Sequence, residues 1–174
     1  MSLSKGGRPG GGVGAAIGDA ATIRVLEAFQ TNRCIHSSRY GQAIAARAIA
    51  SGALAELAKT VIRPHYQQKF AVIEATLDVA MPAVPWYLHR AEGSIFAWLW
   101  LQALPMDDQA FYQALKRYGV IIVPGRPFFP GLGEDWNHTR QCFRISLTDT
   151  ADRIAIAIRR LAALTDQVYR QSAP

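Results

Sequence analysis

A chain of 174 residues, half of them apolar and 18% charged, can bury a real core, which excludes an intrinsically disordered polymer. The net charge of +6 favours anionic ligands, but no run of the 19 lysines and arginines exceeds a pair such as Arg159-Arg160. That scatter describes a basic surface rather than a nucleic-acid-binding stripe. Cys34 and Cys142 stand in no metal-ligand spacing and are expected as reduced thiols. No apolar signal core opens the chain, and Ile95 to Leu104 is about half the roughly 20 residues that a bilayer span needs. A cytoplasmic protein with no membrane partner is therefore expected.

The chain opens on Ser2-Leu3-Ser4-Lys5 and a glycine-rich run, Gly6-Gly7-Arg8-Pro9-Gly10-Gly11-Gly12-Val13-Gly14. A dinucleotide fingerprint at Gly10, Gly12 and Ala15 fails, because no strand precedes it and no helix opens on it. A Walker loop needs its lysine after the glycines, and here it comes before. What remains is a loop whose bare backbone can approach a phosphate closely. Lys5, beside two hydroxyls, suits a Schiff-base site, since an amine condenses with an aldehyde when burial or nearby cations keep part of it neutral. A solvated lysine in an irregular N-terminus is the competing reading.

Val13 to Ile17 reads as a buried strand ending at Gly18-Asp19. Asp19 can cap a helix running to about Thr31, with Ile23, Leu26 and Phe29 on one face. A second helix fits Ser38 to Ser51 and breaks at Gly52. A third, from Leu54 to about Val79, should kink at Arg63-Pro64. Past Met81-Pro82 the runs Trp86 to His89 and Ile95 to Leu101, joined through Glu92-Gly93, predict a hairpin.

Asp107 then caps a helix with Phe111, Ala114 and Leu115 on one face, basic in its last turn and closed by Gly119. Val120 to Val123 is predicted as a buried strand ending at Pro124-Gly125, followed by an aromatic loop to Thr139. Cys142 to Leu147 is another strand. The final helix starts near Asp149 and carries Ile154, Ile158, Leu161, Thr165 and Val168 at helical spacing. The pattern is α+β, a few strands packed by helices. The break near Gly52 divides the tail of one domain, residues 1–52, from a smaller complete one, residues 53–174.

Arg144 lies mid-strand between Phe143 and Ile145 and shares a face with Cys142 and Ser146. A guanidinium so placed needs an anionic partner, because an unpaired buried charge is costly. Its fork suits a bidentate grip on a substrate carboxylate; a structural salt bridge, or exposure on an edge strand, stays equally open. His138 has no second histidine at metal spacing and reads as a loop histidine with a local hydrogen bond. Trp86, Trp98 and Trp100 read as core. No metal site and no Ser-His-Asp arrangement can be argued.

Ser2-Leu3-Ser4-Lys5 with the Pro9-Gly10 turn, residues 61–70, 89–101 and 118–146, and the closing helix together resemble the C-terminal part of the valine–pyruvate aminotransferases. These are fold-type I enzymes dependent on pyridoxal 5'-phosphate (PLP). The resemblance spans nearly the whole chain and is most specific from Val123 to Arg144. It implies the small C-terminal α+β domain of such an enzyme plus the tail of its large cofactor-binding domain. The implied reaction is PLP-dependent transamination between valine and pyruvate, giving 3-methyl-2-oxobutanoate and alanine, with amino acids and 2-oxo acids as the partners.

Carried over by position, Lys5 would bond to the cofactor aldehyde and shuttle the proton between the substrate α-carbon and the cofactor. Ser2 would bind the cofactor phosphate, Ser4 lies beside the lysine, and Arg144 would hold the substrate α-carboxylate. Tyr118 to Leu132 would form one wall of the substrate channel. Two departures stand out. Gly12 occupies the position where the family carries an arginine for the cofactor phosphate, which leaves Arg8 as the candidate replacement. Losing that charge-assisted contact costs ~2 kcal/mol of cofactor affinity.

The family's N-terminal domain also supplies the aromatic that stacks on the pyridine ring and the aspartate at its nitrogen. The resemblance therefore implies that an N-terminal part or a homodimer partner completes the site, as for a split or frameshifted gene. The alternative is a catalytically inactive fragment or interaction module that keeps the small-domain fold. Either way, the apolar faces of residues 1–52 should promote self-association.

Overall fold

A computed structural model of the chain describes residues 13–34, 38–132 and 136–172. They form an α+β fold in two compact units, residues 1–64 and 65–174. The division thus falls after Pro64, further along the chain than the break at Gly52. Among the described residues no helix is long and apolar enough to cross a membrane.

The first unit is helical. α1 (Ala20–Arg33) starts where the Asp19 carboxylate accepts the backbone N–H groups of Ala21 and Thr22 at 3.0 and 2.9 Å. Those donors have no partner within the helix, so a carboxylate there supplies what the first turn lacks. α2 (Arg39–Ala50) is capped by Ser38 and followed by Gly52 at φ +72°, a left-handed turn that glycine adopts without a Cβ penalty. α3 (Ala53–Leu57) passes into a π-helical turn, Ala58–Ile62, and then α4 (Arg63–Ala80). Proline explains the change of helix type. Pro64 has no N–H to give to the preceding turn, and just before it the Arg63 N–H bonds Ala58 O, five residues back, in the π pattern.

Little of this unit is buried. Ala45 is its one buried residue among those described, while Val25, Leu26, Phe29, Tyr40, Ile44 and Ile49 are exposed. The buried strand expected over residues 13–17 is not formed. Only Gly14 makes an isolated bridge, and Ile17 is fully exposed. An apolar run becomes a buried strand only beside a sheet that pairs its backbone and covers its side chains.

In the second unit the predicted hairpin forms. β1 (Trp86–Leu88) and β2 (Phe96–Leu101) are antiparallel, with Trp86 opposite Leu101 and Leu88 opposite Leu99. β3 (Val123–Pro124) and β4 (Cys142–Ser146) complete a four-stranded antiparallel sheet in the order β1-β2-β4-β3. The β2–β4 register pairs Leu99 with Phe143 and Ala97 with Ile145, which places all four on one face. That face packs on α4, α5 (Asp108–Arg117) and α6 (Ala151–Gln171) through Ile73, Leu77, Phe111, Leu115, Ile158 and Leu161. The opposite face carries Phe96, Trp98 and Trp100 of β2 with Cys142, Arg144 and Ser146 of β4.

The strand expected over Val120 to Val123 is shorter than predicted. Only Val123 and Pro124 pair with β4, and Ile121 is 75% exposed although Val120 and Ile122 are buried. Pro124 has no N–H for the ladder, and Gly125 then turns its own N–H onto Cys142 O at 2.7 Å, which ends the pairing. The three tryptophans also divide. Trp86 lies on the core side with its indole N–H on Met81 O at 3.2 Å. Trp98 and Trp100 lie on the other face, half-buried, and are not core.

Candidate functional site

β4 is an inner strand, so Arg144 is not at an edge; it sits between Trp98 on β2 and Val123 on β3. Among the described residues no carboxylate forms a salt bridge with it. Its guanidinium carbon instead lies 4.3 Å from the ring centroid of Phe96 and 5.0 Å from that of Phe128. Such contacts each contribute about 0.5–2 kcal/mol, more as water is excluded. A half-buried cation held by ring faces keeps its hydrogen-bonding fork available for an anion. The same residues, with Trp98, His89, Arg90 and Glu92, line a hollow of about 580 Å³. A second hollow, between residues 119–122 and α6, is lined by Val120, Ile121, Ile154 and Leu161 and by two arginines that are already engaged, Arg153 with the Asp149 carboxylate and Arg160 with Tyr118 O.

An aromatic surface extends from the hollow. Trp98 meets Phe128 and Phe129 edge-on at 5.3 and 5.9 Å, Trp100 stacks on Tyr87 at 4.8 Å, and His138 stacks on Trp136 at 4.6 Å. Nε2 of His138 lies 3.4 Å from the Cys142 sulfur, the local bond expected of a loop histidine. Burial lowers the His138 pKa, which favours the neutral ring. Burial likewise pushes the Cys142 thiol up to about 11, so it stays protonated and unreactive at neutral pH. No group of three or more His, Cys, Asp or Glu that could hold a metal occurs among the described residues.

The turn that brings Phe128 to Arg144 is held at several points. A Cβ on Gly125 would stand 2.6 Å from Cys142 O and 2.7 Å from Cys142 Cβ, so the close approach needs glycine. Arg126 donates from Nη2 to Asp107 Oδ2 at 2.7 Å and to Asp108 Oδ1 at 2.6 Å. Arg126–Phe128 is a 3-10 turn with proline in its first turn. Asp107 also caps α5 by accepting the Gln109 N–H at 2.9 Å. Burial works against its charge, but the bonds from Arg126 and Gln109 outweigh it and hold the carboxyl below its usual range. Asp108 is 0% exposed, and its Oδ2 has no hydrogen-bond partner. There burial dominates over the attraction of Arg126 and raises the pKa.

Sequence reasoning had no access to the Arg126 pair, since its partners lie 18 and 19 residues away. Two adjacent aspartates at a helix start, and an arginine between Pro-Gly and Pro, were the available signals. Of the expected channel wall, Phe128 lines the hollow beside Arg144, whereas Gly119 to Ile122 line the second hollow. Ser2, Ser4, Lys5, Arg8 and Gly12 lie outside the described residues. The amine, hydroxyls and guanidinium among them form a donor set whose chemistry fits an aldehyde and a phosphate.

The family model for aminotransferase class I and II matches residues 2–161. The valine–pyruvate aminotransferase of Escherichia coli is 34% identical over 172 residues, which are 99% of this chain and 41% of that protein. A solved structure from Psychrobacter arcticum, described as an amino-acid aminotransferase, is similar at a TM-score of 0.86 and 31% identity, over 98% of this chain and 39% of the other. The valine–pyruvate aminotransferase of Salmonella typhimurium is similar at a TM-score of 0.76 and 32% identity, over 87% of this chain and 39% of the other. The chain thus spans about two fifths of the length of these relatives.

Proposed function

The chain belongs to the class I and II aminotransferases, and we propose that it supplies the lysine and the carboxylate-binding arginine for a PLP-dependent exchange of the amino group between valine and pyruvate. The single observation that carries the reading is Arg144, a half-buried guanidinium set on two ring faces, with no carboxylate bound to it among the described residues. An α-carboxylate fits that fork bidentately, and Phe96 and Phe128 shield the pair from water. The apolar part of the same hollow, formed by Phe96, Ala97, Trp98 and Phe128, suits a small aliphatic side chain. The 34% and 32% identity to valine–pyruvate aminotransferases supports this choice of donor and acceptor.

In this reading Lys5 holds the cofactor through its amine and carries the proton to and from the substrate α-carbon. Ser2 binds the cofactor phosphate, with Arg8 in place of the arginine absent at Gly12. When bound, PLP supplies the electron sink that makes the α-proton acidic. The helices before Gly52 belong with the tail of the large domain. The ring-stacking aromatic and the aspartate come from an N-terminal part or a homodimer partner, and the exposed faces of α1 and α2 are surfaces such a part would cover. The setting is cytoplasmic. A second reading, a silent module that keeps the small-domain fold, is favoured by Gly12.

Borohydride reduction of the chain with PLP, followed by peptide mapping, separates the two. Modification concentrated on Lys5 and abolished by Lys5→Ala is the expected outcome. Modification scattered over surface lysines would establish the silent module instead.

A further inference from the structure

We propose that Arg126, held by Asp107 and Asp108, is a positioning residue for Arg144: it fixes the turn that lays Phe128 against the guanidinium. The inference rests on the reading of Arg144 as the carboxylate grip. Of the two rings on Arg144, Phe96 stands on β2 and is placed by the sheet itself. Phe128 stands on a short 3-10 turn, outside any ladder, and its place depends on what holds that turn. Gly125 holds one end through its bond to Cys142 O at 2.7 Å. Arg126 supplies the hold from the other side, by reaching the start of α5 at 2.7 and 2.6 Å.

Asp108 makes a purely structural ion pair an incomplete account. Capping of α5 is already performed by Asp107, so Asp108 is not needed for it. Its side chain is fully buried with one oxygen unpartnered, an arrangement that costs stability. Its other oxygen receives Arg126 at 2.6 Å, and the Gln109 N–H at 3.0 Å is its further neighbour. The buried carboxylate thereby ties the turn to the core helix, and the turn carries Phe128 to Arg144. Phe129, next in the chain, meets Trp98 in the same stroke.

The test reads the environment of Arg144 directly. In the full chain, the Arg144 Nε–H resonance, identified by its loss in Arg144→Lys, is expected to be displaced upfield by the two rings. Phe128→Leu measures the share due to Phe128. The triple variant Asp107→Asn/Asp108→Asn/Arg126→Met removes charge on both sides, so no buried carboxylate is left unpaired, and asparagine still caps α5. It is expected to lose at least half of the displacement that Phe128→Leu loses. An Arg144 signal unchanged from the wild type, whatever the Tm, overturns the proposal.

Should the triple variant not fold, Arg126→Lys keeps the charge on a shorter reach. A partial loss of the displacement is expected there, and none overturns the proposal equally. Added 3-methyl-2-oxobutanoate tests the underlying reading separately. It should move the Arg144 signal in the wild type, and at several-fold higher concentration in the triple variant. A wild-type signal that ignores the oxo acid overturns the carboxylate role of Arg144, while the ring displacement alone still decides the role of Arg126.

Discussion

Two helices with the same kind of apolar spacing have opposite fates in the two units. α6 places Ile154, Ile158, Leu161 and Val168 on one face, and all are buried. α1 places Ile23, Leu26 and Phe29 at comparable spacing, and no residue of it is buried. The apolar stripe states what a helix can bury, and a neighbouring sheet or helix determines whether it does. In the second unit that neighbour is the face of β2 and β4; in the first unit the stripe remains a surface.

Truncation should expose the contrast most strongly. Phe111→Ala or Leu161→Ala is expected to destabilise the second unit by about 3–5 kcal/mol in urea unfolding, since each empties a site with no exposure. Leu26→Ala on α1 should stay within about 0.5 kcal/mol. A comparable loss at Leu26 would break the comparison. The same exposed face should govern assembly instead. Phe29→Glu is expected to shift the chain toward monomer in light scattering, whereas a wild type already monomeric would remove the basis for this expectation.

Gly125→Ala comes next, at about 1–3 kcal/mol, because the added methyl meets backbone and Cβ of Cys142 and neither can rotate away. The two aspartates of α5 should then respond to pH with opposite sign. The folded pKa of Asp108 lies above its ordinary value of 3.8, so its contribution is present below that pH and is lost as pH rises through the folded pKa. Asp107 is lowered, so its contribution is present above 3.8 and is lost as pH falls through the folded pKa. Relative to the wild type, Asp108→Asn should therefore gain stability as urea melts are taken upward from pH 3.8, whereas the deficit of Asp107→Asn should shrink as they are taken downward from it. Parallel curves for the two variants would contradict the assignment. The smallest effect is expected at Ala103, whose φ of +56° lies in the left-handed region. Ala103→Gly should stabilise the second unit by about 0.5 kcal/mol, the relief exceeding the added chain entropy of glycine.

The readable features are local. Asp19, Ser38 and Asp107 cap helices where their side chains reach the first turn, Gly119 closes α5 at φ +71°, and Glu92-Gly93 lies between the hairpin strands as predicted. Each depends on residues a few positions apart, so the chain states it directly. Of the candidate site, Arg144 was legible as a guanidinium in an apolar strand that requires a reason, and the structure sets it on two rings. Lys5 was singled out by the residues around it and lies outside the described residues; the family follows from the whole pattern of matched positions.

Other features needed distant chain segments to meet. The register of β2 on β4 turned Trp98 and Trp100 outward around Arg144 and left Trp86 on the core side. Pro124 and Gly125 reduced an apolar strand to a two-residue edge, and Arg126 found Asp107 and Asp108 across 19 and 18 residues. Side-chain alternation and capping are properties of a short stretch. The choice of face to cover, and of partner for each buried charge, follows from desolvation, which acts only once the chain has brought its elements together.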